Sequence, residues 1–184
     1  MTKDTHLMIP SKTLSSEEDT EAFALKLAQH IQHLFQTKGN HLDKALHFSL
    51  VGDLGVGKTT LTRYILRSLG HMGKVKSPTY GLCEPYQVNL NLKNKPNEPA
   101  EKNLPFHHFD LYRMRTPQEW QEAGLADHFD EPGICLIEWS EKAEGTLPQL
   151  DLQIAITAGQ LETERQFEFI ALSDLGLKLL SQLQ

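Results

Sequence analysis

The chain has 184 residues, of which 39% are apolar and 23% charged, and its formal net charge is −6 at pH 7. This length suits one well-buried domain and is too short for two comfortable ones. The negative charge argues against a protein that grips nucleic acid unaided, because binding to phosphates needs a basic surface.

The two cysteines, Cys83 and Cys135, lie far apart in the sequence, without the spacing of a zinc site or a redox pair. We expect two reduced thiols, with Cys135 in a core strand. The first ten residues contain no apolar run long enough for export, and no stretch approaches transmembrane length. The sequence therefore predicts a soluble, cytoplasmic protein that does not associate with membranes.

Residues 1–14 form an N-terminal lead-in with one short strand predicted at residues 7–9. Ser15 and Glu18 have the spacing of a capping box, which predicts the start of a helix. Apolar residues then recur at helical spacing and define one buried face: Phe23, Leu27, Ile31 and Leu34. The helix is expected to end near Gly39 and to serve mainly in packing.

Residues 52–59, GDLGVGKT, match the phosphate-binding pattern of two glycines, a lysine and a hydroxyl residue at fixed offsets. Glycines allow backbone conformations in which successive N–H groups converge on one anion. Lys58 would place its charge on the outer phosphates, and Thr59 would offer a hydroxyl to the accompanying Mg²⁺. A buried strand at 45–51 and a helix at 59–69 flank this phosphate loop, so the helix directs its positive dipole end at the phosphates. This context disfavours the alternative, an accidental glycine-rich turn.

Two segments follow the helix. Residues 77–80, SPTY, form a hydroxyl-bearing loop one strand downstream of the nucleotide, where such loops respond to the γ-phosphate. A plain turn set by Pro78 is an equal alternative. Residues 89–105 contain three prolines and repeated Asn and Lys, which predicts a surface insertion loop between two strands of one sheet.

The next informative stretch is a strand at residues 106–113, which delivers Asp110 to the carboxyl edge of the sheet, with Arg113 three residues on. Ligands bind at that edge in parallel α/β sheets. His107 and His108 point to opposite faces of the strand, so they cannot chelate one metal together. Neither histidine is expected to have a catalytic role.

A short helix at 118–123 follows, in which Trp120 is expected to pack rather than stack on a base. Residues 134–139, ICLIEW, are four apolar residues that end abruptly in an acid. That arrangement is typical of a carboxylate that meets Mg²⁺ beside a phosphate loop, although Glu138 stands where Asp is commoner. Trp139 either covers the nucleotide pocket or closes the core.

The C-terminal region reads as a hairpin, with strands at 151–157 and 165–172, followed by an amphipathic helix at 174–180. Arg165 either reaches a phosphate or sits at a solvated strand end. The predicted fold class is α/β: a single P-loop NTPase domain over residues 1–184, with a mostly parallel, mixed central sheet flanked by helices.

With these stretches in view, the sequence closely resembles the TsaE family, also known as YjeE, the P-loop ATPases of bacterial tRNA threonylcarbamoyladenosine biosynthesis. The resemblance rests on GDLGVGKTT at 52–60, VKSPTY at 75–80, HFDLYR at 108–113 and ICLIEW at 134–139. It implies binding of ATP and Mg²⁺ and slow ATP hydrolysis in the absence of partners. It also implies association with a TsaB–TsaD heterodimer, whose TsaD transfers the threonylcarbamoyl group to the adenosine next to the anticodon. The isolated chain is then expected to be monomeric and to meet tRNA only through the complex.

By position, the resemblance implies that Lys58, Asp110 and Glu138 are catalytic and that Thr59 and Glu138 hold Mg²⁺. Residues 77–80 would be the first switch, and Asp110 would belong to the second. Glu17 and Thr20 would lie near the adenine. The full set of predicted nucleotide-binding residues is Glu17, Thr20, Asp53, Leu54, Gly55, Val56, Gly57, Lys58, Thr59, Thr60, Ser77, Thr79, Trp139 and Arg165.

Two other functions fit a phosphate loop. A small-molecule kinase would need an acceptor pocket and an arginine-rich lid, whereas the chain offers only Arg113, Arg115 and Arg165 after Arg67. A nucleotide-gated adaptor would respond to ATP occupancy without hydrolysis. An Asp110→Ala variant separates the adaptor from the ATPase, because an adaptor keeps its cellular role when hydrolysis is lost.

Overall fold

The computed structural model describes residues 7–37, 44–91 and 101–183. In these ranges, the chain forms seven strands and five α-helices. In order they are β1 (Leu7–Leu14), α1 (Glu17–Thr37), β2 (Leu46–Val51), α2 (Lys58–Ser68), β3 (Cys83–Asn91), β4 (Glu101–Asp110), α3 (Glu119–Glu122), α4 (Asp127–Asp130), β5 (Ile134–Glu138), β6 (Leu152–Ala158), β7 (Arg165–Ala171) and α5 (Asp174–Ser181). A short 3₁₀ helix, Ser140–Ala143, follows β5.

The strands form one mixed sheet in the order β1-β7-β6-β2-β5-β4-β3. Strands β6, β2, β5 and β4 are mutually parallel, while β3 and β7 run antiparallel to their neighbours. Because β1 is antiparallel to β7, it points the same way as the central strands. The prediction of a mostly parallel, mixed sheet with a C-terminal hairpin and helix is confirmed.

The parallel arrangement places the ends of three strands at one edge of the sheet. β2 ends at Val51, directly before the phosphate loop, and β4 and β5 end at Asp110 and Glu138, which are paired across the two strands. Loops at the carboxyl edge of a parallel sheet form the usual ligand-binding crevice. Three stretches that are distant in sequence therefore meet at a single place.

Side chains of the central strands point alternately to the two faces of the sheet and contribute to a hydrophobic cluster on each face. In β5, Ile134 and Leu136 belong to the cluster that includes residues of α1, α2 and α5. Cys135 and Ile137 belong to the other, with Phe109, Trp120 and Phe129. β5 is buried at every position, as expected for a central parallel strand covered on both faces. Trp120 is a packing residue, as predicted.

The N-terminal region differs from the sequence-based prediction in two respects. The edge strand β1 spans Leu7–Leu14, because it pairs with β7 over most of its length and shifts register between Ile9 and Lys12. The predicted capping box of Ser15 and Glu18 is wrong by one residue. The Oγ of Ser16 accepts from Asp19 N at 3.1 Å, and Asp19 Oδ2 accepts from Ser15 N at 3.0 Å. Two adjacent serines each offer a cap, and the pattern alone does not choose between them.

The predicted surface insertion at residues 89–105 is wrong at both ends. β3 and β4 form an antiparallel hairpin that is paired as far as Asn91 and Glu101, and Leu90 and Leu104 are buried in it. The polar composition of this stretch hid an alternation of apolar residues, such as Val88 and Leu90. Such alternation indicates a strand with one buried face. The middle of the predicted loop, 92–100, and the predicted helix end at Gly39 lie outside the described residues.

Asp151 joins the central strand β2 to the start of α5. Its buried carboxylate accepts from the backbone N of His47 at 2.9 Å and from the hydroxyl of Ser173, whose Oγ in turn caps α5. We expect Asp151→Ala to lower the free energy of unfolding by about 1.5–3 kcal/mol, because hydrogen bonds to a charged group are lost and a buried N–H is left unpaired. Urea unfolding measures the change.

The matched control is Asp174→Ala, which removes an exposed carboxylate from the first turn of the same helix. It should cost less than about 1 kcal/mol, since only its interaction with the helix dipole is lost. Equal losses in the two variants would contradict the bridging role of Asp151.

Candidate nucleotide-binding site

The loop between β2 and α2 has the backbone conformation that its glycines allow. Gly52 has a φ of +146°, and a Cβ there would lie 2.2 Å from the carbonyl oxygen of Ile156 in β6. Gly55 and Gly57 also have positive φ, and Gly57 caps the N-terminus of α2. Residues with side chains resist these conformations. The glycines therefore adopt the positive φ angles that the sequence pattern predicts.

The ammonium group of Lys58 lies inside the loop. Its Nζ donates to the carbonyl oxygens of Gly52 and Asp53, at 2.6 and 2.9 Å, and lies 4.0 Å from the ring centroid of Trp139. Burial lowers the pKa of Lys58, and the neighbouring carboxylates, Glu138 foremost, act in the opposite direction. The ammonium group is thus held within the loop by the carbonyl oxygens of Gly52 and Asp53.

The carboxylate of Glu138 contacts the side chains of Thr59 and His108. Its Oε1 accepts from the hydroxyl of Thr59 at 2.9 Å and contacts Nε2 of His108 at 2.8 Å. Both Glu138 and His108 are buried. Because a carboxylate oxygen only accepts, we assign a proton to Nε2 of His108, which donates to Glu138; Nδ1 has no hydrogen-bond partner among the described residues.

His108 contacts the site through Glu138, which the sequence analysis did not predict; the expectation that neither histidine of β4 is catalytic stays a prediction. Residues i and i+2 of a strand share a face, so His108 lies on the same face as Asp110. That spacing was visible in the sequence and could have identified His108. His107 points to the opposite face, as predicted.

Asp110 connects the hydroxyl-bearing loop to the sheet. Its Oδ2 accepts from Ser77 Oγ, and its Oδ1 accepts from the backbone N of Tyr112 at 3.1 Å. Ser77 Oγ also lies 3.1 Å from Thr79 Oγ1. The loop at 77–80 is therefore in direct contact with Asp110, which favours the responsive loop over the plain turn.

These groups share one cleft of about 440 Å³. It brings together eleven of the residues predicted from sequence, and also Tyr112 and Arg113. The predicted residues that line it are Leu54, Gly55, Gly57, Lys58, Thr59, Thr60, Ser77, Thr79, Asp110, Glu138 and Trp139. Trp139 combines its two predicted alternatives: its ring lines the cleft beside Lys58 and Tyr112, and it also packs against the hydrophobic cluster of Phe109 and Trp120.

A second cavity of about 370 Å³ lies on the other side of the phosphate loop, and Gly55, Gly57 and Thr60 line both spaces. Four of the five remaining predicted nucleotide-binding residues line this cavity: Glu17, Thr20, Val56 and Arg165. Phe167 and Thr163 also line it, and neither was identified from sequence. Tyr64, likewise unpredicted, donates its hydroxyl to Glu17 Oε1 at 2.5 Å.

Comparison with known proteins agrees with this geometry. The family model described as threonylcarbamoyl adenosine biosynthesis protein TsaE matches residues 14–167. The chain belongs to the TsaE family. The TsaE protein of Haemophilus influenzae is 44% identical over 141 residues, which cover 77% of this chain and 80% of that protein. The TsaE protein of Bacillus subtilis is 36% identical over 126 residues, covering 68% and 70%.

The crystal structure of Bacillus subtilis YdiB shares this fold, with a TM-score of 0.66 and 29% sequence identity. The alignment covers 97% of this TsaE-family chain and 95% of YdiB. The family and fold predicted from sequence are thereby confirmed. None of the helices in the described ranges combines the length and apolarity that a membrane span requires.

Two predicted contacts take a different form in this TsaE-family chain. Asp53 lines neither of the two cavities; its backbone carbonyl oxygen accepts a hydrogen bond from Lys58. The guanidinium of Arg165 donates to the carbonyl oxygens of Val56, Glu162 and Glu164 at 2.7–2.8 Å. Arg165 therefore ties the β6–β7 hairpin to the phosphate loop, and its contact with a nucleotide stays a prediction.

Proposed function

We propose that this chain is the ATP-binding and ATP-hydrolysing component of the machinery that forms N6-threonylcarbamoyladenosine next to the anticodon of tRNA. In that role it supports repeated turnover of a TsaB–TsaD pair in the cytoplasm. The observation that carries the proposal is the convergence of Lys58, Thr59, Asp110 and Glu138 on one cleft at the carboxyl edge of the sheet. Membership of the TsaE family supplies the pathway.

The two cavities suit the two ends of ATP. The phosphates would lie in the cleft beside Lys58 and the N-terminus of α2, where the helix dipole and loop amides favour negative charge. The adenine end would lie in the cavity lined by Glu17 and Thr20, which shares Gly55, Gly57 and Thr60 with the cleft. The triphosphate would therefore run over the phosphate loop from one cavity to the other.

The residues present fit Mg²⁺. The Thr59 hydroxyl lies 2.9 Å from Glu138 Oε1, which places a neutral and an anionic oxygen side by side. Oxygen ligands of this kind are the ones that Mg²⁺ prefers, and it commonly takes one or two carboxylates together with substrate phosphates. When bound, the ion neutralises phosphate charge. Thr59 and Glu138 would hold it, and His108 would keep the Glu138 carboxylate in place.

Hydrolysis then depends on charge stabilisation and on placement of the attacking water. Lys58 would exchange the Gly52 and Asp53 carbonyls for phosphate oxygens and stabilise the charge that develops on the transferring group. Asp110 would orient the water and accept its proton. Arg113 lines the cleft, but its guanidinium lies 4.4 Å from the ring centroid of Tyr80. Slow hydrolysis by the isolated chain follows if a partner supplies the missing positive charge.

The chain itself would not hold tRNA. Its formal net charge is −6, and a protein that neutralises several phosphates needs lysine and arginine on its surface. Contact with tRNA would therefore be made by the TsaB–TsaD heterodimer, and the isolated chain would be a monomer.

ATP hydrolysis by the purified chain, alone and with TsaB–TsaD and tRNA, tests this function. We expect the partners to raise the rate and Lys58→Ala to abolish it under both conditions. If the partners leave the ATP hydrolysis rate unchanged but a small hydroxylated acceptor raises it, the proposal is overturned in favour of a kinase. Partner binding that requires ATP without any hydrolysis would favour the adaptor.

His108 gives a prediction about the metal requirement. We expect His108→Phe to raise the Mg²⁺ concentration needed for half-maximal hydrolysis by about 10–100-fold, the usual effect of removing a residue that orients a metal ligand. The maximal rate at saturating Mg²⁺ should change less, since Thr59 and Glu138 remain. His108→Gln, which keeps an N–H donor, should recover part of the affinity.

The matched control is His30→Gln in α1, a partly exposed histidine that lines neither cavity of the nucleotide site. Its Mg²⁺ requirement should equal that of the parent chain. If His108→Phe leaves the Mg²⁺ requirement unchanged and lowers only the melting temperature, His108 has a structural role alone.

A further inference from the structure

A second group of metal-ligating side chains lies on the opposite face of the sheet from Glu138. Cys83 begins β3, His107 lies in β4, and His128 lies in α4. The pairing of Pro85 with His107 brings the start of β3 beside the end of β4. One ligand atom from each of the three side chains lies within 4.8 Å of the other two.

His107 is the unusual member of this group. Its side chain is only 6% exposed, and neither ring nitrogen has a hydrogen-bond partner among the described residues. Its ring stacks on that of His128, with centroids 4.0 Å apart and planes 17° from parallel. A neutral imidazole carries one donor and one acceptor, and leaving both unpaired in the interior has a free-energy cost. A bound metal ion would be coordinated by the lone pair of one of these nitrogens.

We propose that Cys83, His107 and His128 bind a Zn²⁺ ion, with a water molecule as the fourth ligand. One thiolate and two imidazoles form a donor set suited to zinc, whereas Mg²⁺ and Ca²⁺ require oxygen. Cys83 and His128 are partly exposed, which gives an ion access from solvent. This site is independent of the proposed ATPase function.

Coordination requires the Cys83 and His128 side chains to rotate towards His107. Zinc bonds of about 2.0–2.3 Å place neighbouring ligand atoms of a tetrahedron roughly 3.4–3.6 Å apart. The three atoms need to approach one another by little more than about 1 Å. Because an imidazole lone pair lies in the plane of its ring, the partly exposed His128 ring must also turn out of its stack on His107 to direct a nitrogen at the same ion, and Cys83 must rotate towards it. His107 can stay where the core holds it.

The protonation states of the group also suit an ion that arrives from solvent. Burial lowers the pKa of His107 to about 4, so its ring is neutral at pH 7 and retains a lone pair. Burial, with a smaller contribution from Glu84, raises the pKa of Cys83 to about 12, so its thiol is protonated before binding. Coordination breaks the S–H bond, forms the S–Zn bond and releases one proton to solvent.

The position of the site gives the ion a structural consequence. The backbone N of Asp110 donates to the carbonyl oxygen of Leu82 at 3.0 Å, and Leu82 directly precedes Cys83. His107 lies three residues before Asp110 in the same strand. An ion bound by Cys83, His107 and His128 would therefore fasten the start of β3 to the end of β4.

Titration of the metal-free full-length chain with Co²⁺ and then Zn²⁺ tests the proposal. We expect one Co²⁺ per chain with a thiolate-to-cobalt absorption band, and loss of that band when Zn²⁺ displaces Co²⁺. The band separates this site from the nucleotide cleft, because Cys83 and Cys135 are the only cysteines of the chain and neither lines that cleft. Calorimetry in two buffers of different ionisation enthalpy should show about one proton released per Zn²⁺.

Variants assign the ligands. Cys83→Val should abolish the band, and His107→Gln should weaken Zn²⁺ binding at least 10-fold. In both variants, Zn²⁺ should raise the melting temperature by less than it does in the parent chain. Cys135→Ala is the matched control for the thiol, and a His30→Gln/His33→Gln double variant is the control for surface histidines; both should keep the band. Absence of the band from the parent chain, or its persistence in Cys83→Val, would overturn the proposal. A metal-free melting scan of each variant verifies that it folds.

Discussion

We expect Lys58→Ala to lower ATP turnover at least about 100-fold, the usual cost of removing a group that stabilises developing charge. Its free energy of unfolding should stay within about 1 kcal/mol of the parent value. The ammonium is buried against two loop carbonyls, and burial of a charge is costly, so its removal gives up little stability. Steady-state hydrolysis at saturating ATP and Mg²⁺, together with urea unfolding, measures both quantities.

Lys178→Ala is the matched control, because Lys178 is an exposed lysine in the last turn of α5 and lies outside both cavities of the nucleotide site. It should retain the parent rate. A Lys58→Ala chain that hydrolyses ATP at a comparable rate would show that the loop lysine has no part in catalysis. A chain that fails to fold would show instead that Lys58 is a structural residue.

The second large effect is expected for Asp110→Asn. The amide keeps the size of the side chain and can still accept from the backbone N of Tyr112, but it cannot take a proton from water. Turnover should therefore fall by about 100-fold or more, the usual contribution of a general base, while ATP binding is retained. Rapid-quench measurement of a single turnover, with fluorescent-nucleotide binding in parallel, separates chemistry from binding.

Asp127→Asn removes an exposed carboxylate from α4 and serves as the control for a change in net charge. Its turnover and nucleotide affinity should equal those of the parent. If Asp110→Asn hydrolyses ATP normally, another group activates the water. If it loses nucleotide binding together with hydrolysis, Asp110 holds the ligand or the Ser77 loop instead.

The parts of the site that follow from local pattern were predictable. The spacing of Gly52, Gly57, Lys58 and Thr59 identifies a phosphate loop because each offset has a separate geometric role. Glu138 stands out because an acid at the end of a buried apolar strand is otherwise costly. The parallel sheet then brings both stretches together with Asp110 at one edge.

Contacts that depend on tertiary placement were not predictable. Asp151 accepts from His47, 104 residues earlier in the chain, and nothing in the sequence around Asp151 indicates that pairing. The sequence predicts a reduced Cys83 thiol outside any zinc site, because Cys83 and Cys135 lie far apart and lack the spacing of metal ligands. Only the β3–β4 pairing and the position of α4 bring Cys83 to His107 and His128.

The most direct test of the proposed function is the amount of threonylcarbamoyladenosine formed in tRNA by TsaB–TsaD over time. The mixture contains the threonylcarbamoyl donor, ATP and Mg²⁺, with either the parent chain or Lys58→Ala. We predict many modified tRNAs per TsaB–TsaD pair with the parent chain and about one or fewer with Lys58→Ala. Equal, sustained modification with both chains would contradict the claim that ATP hydrolysis at this cleft supports turnover.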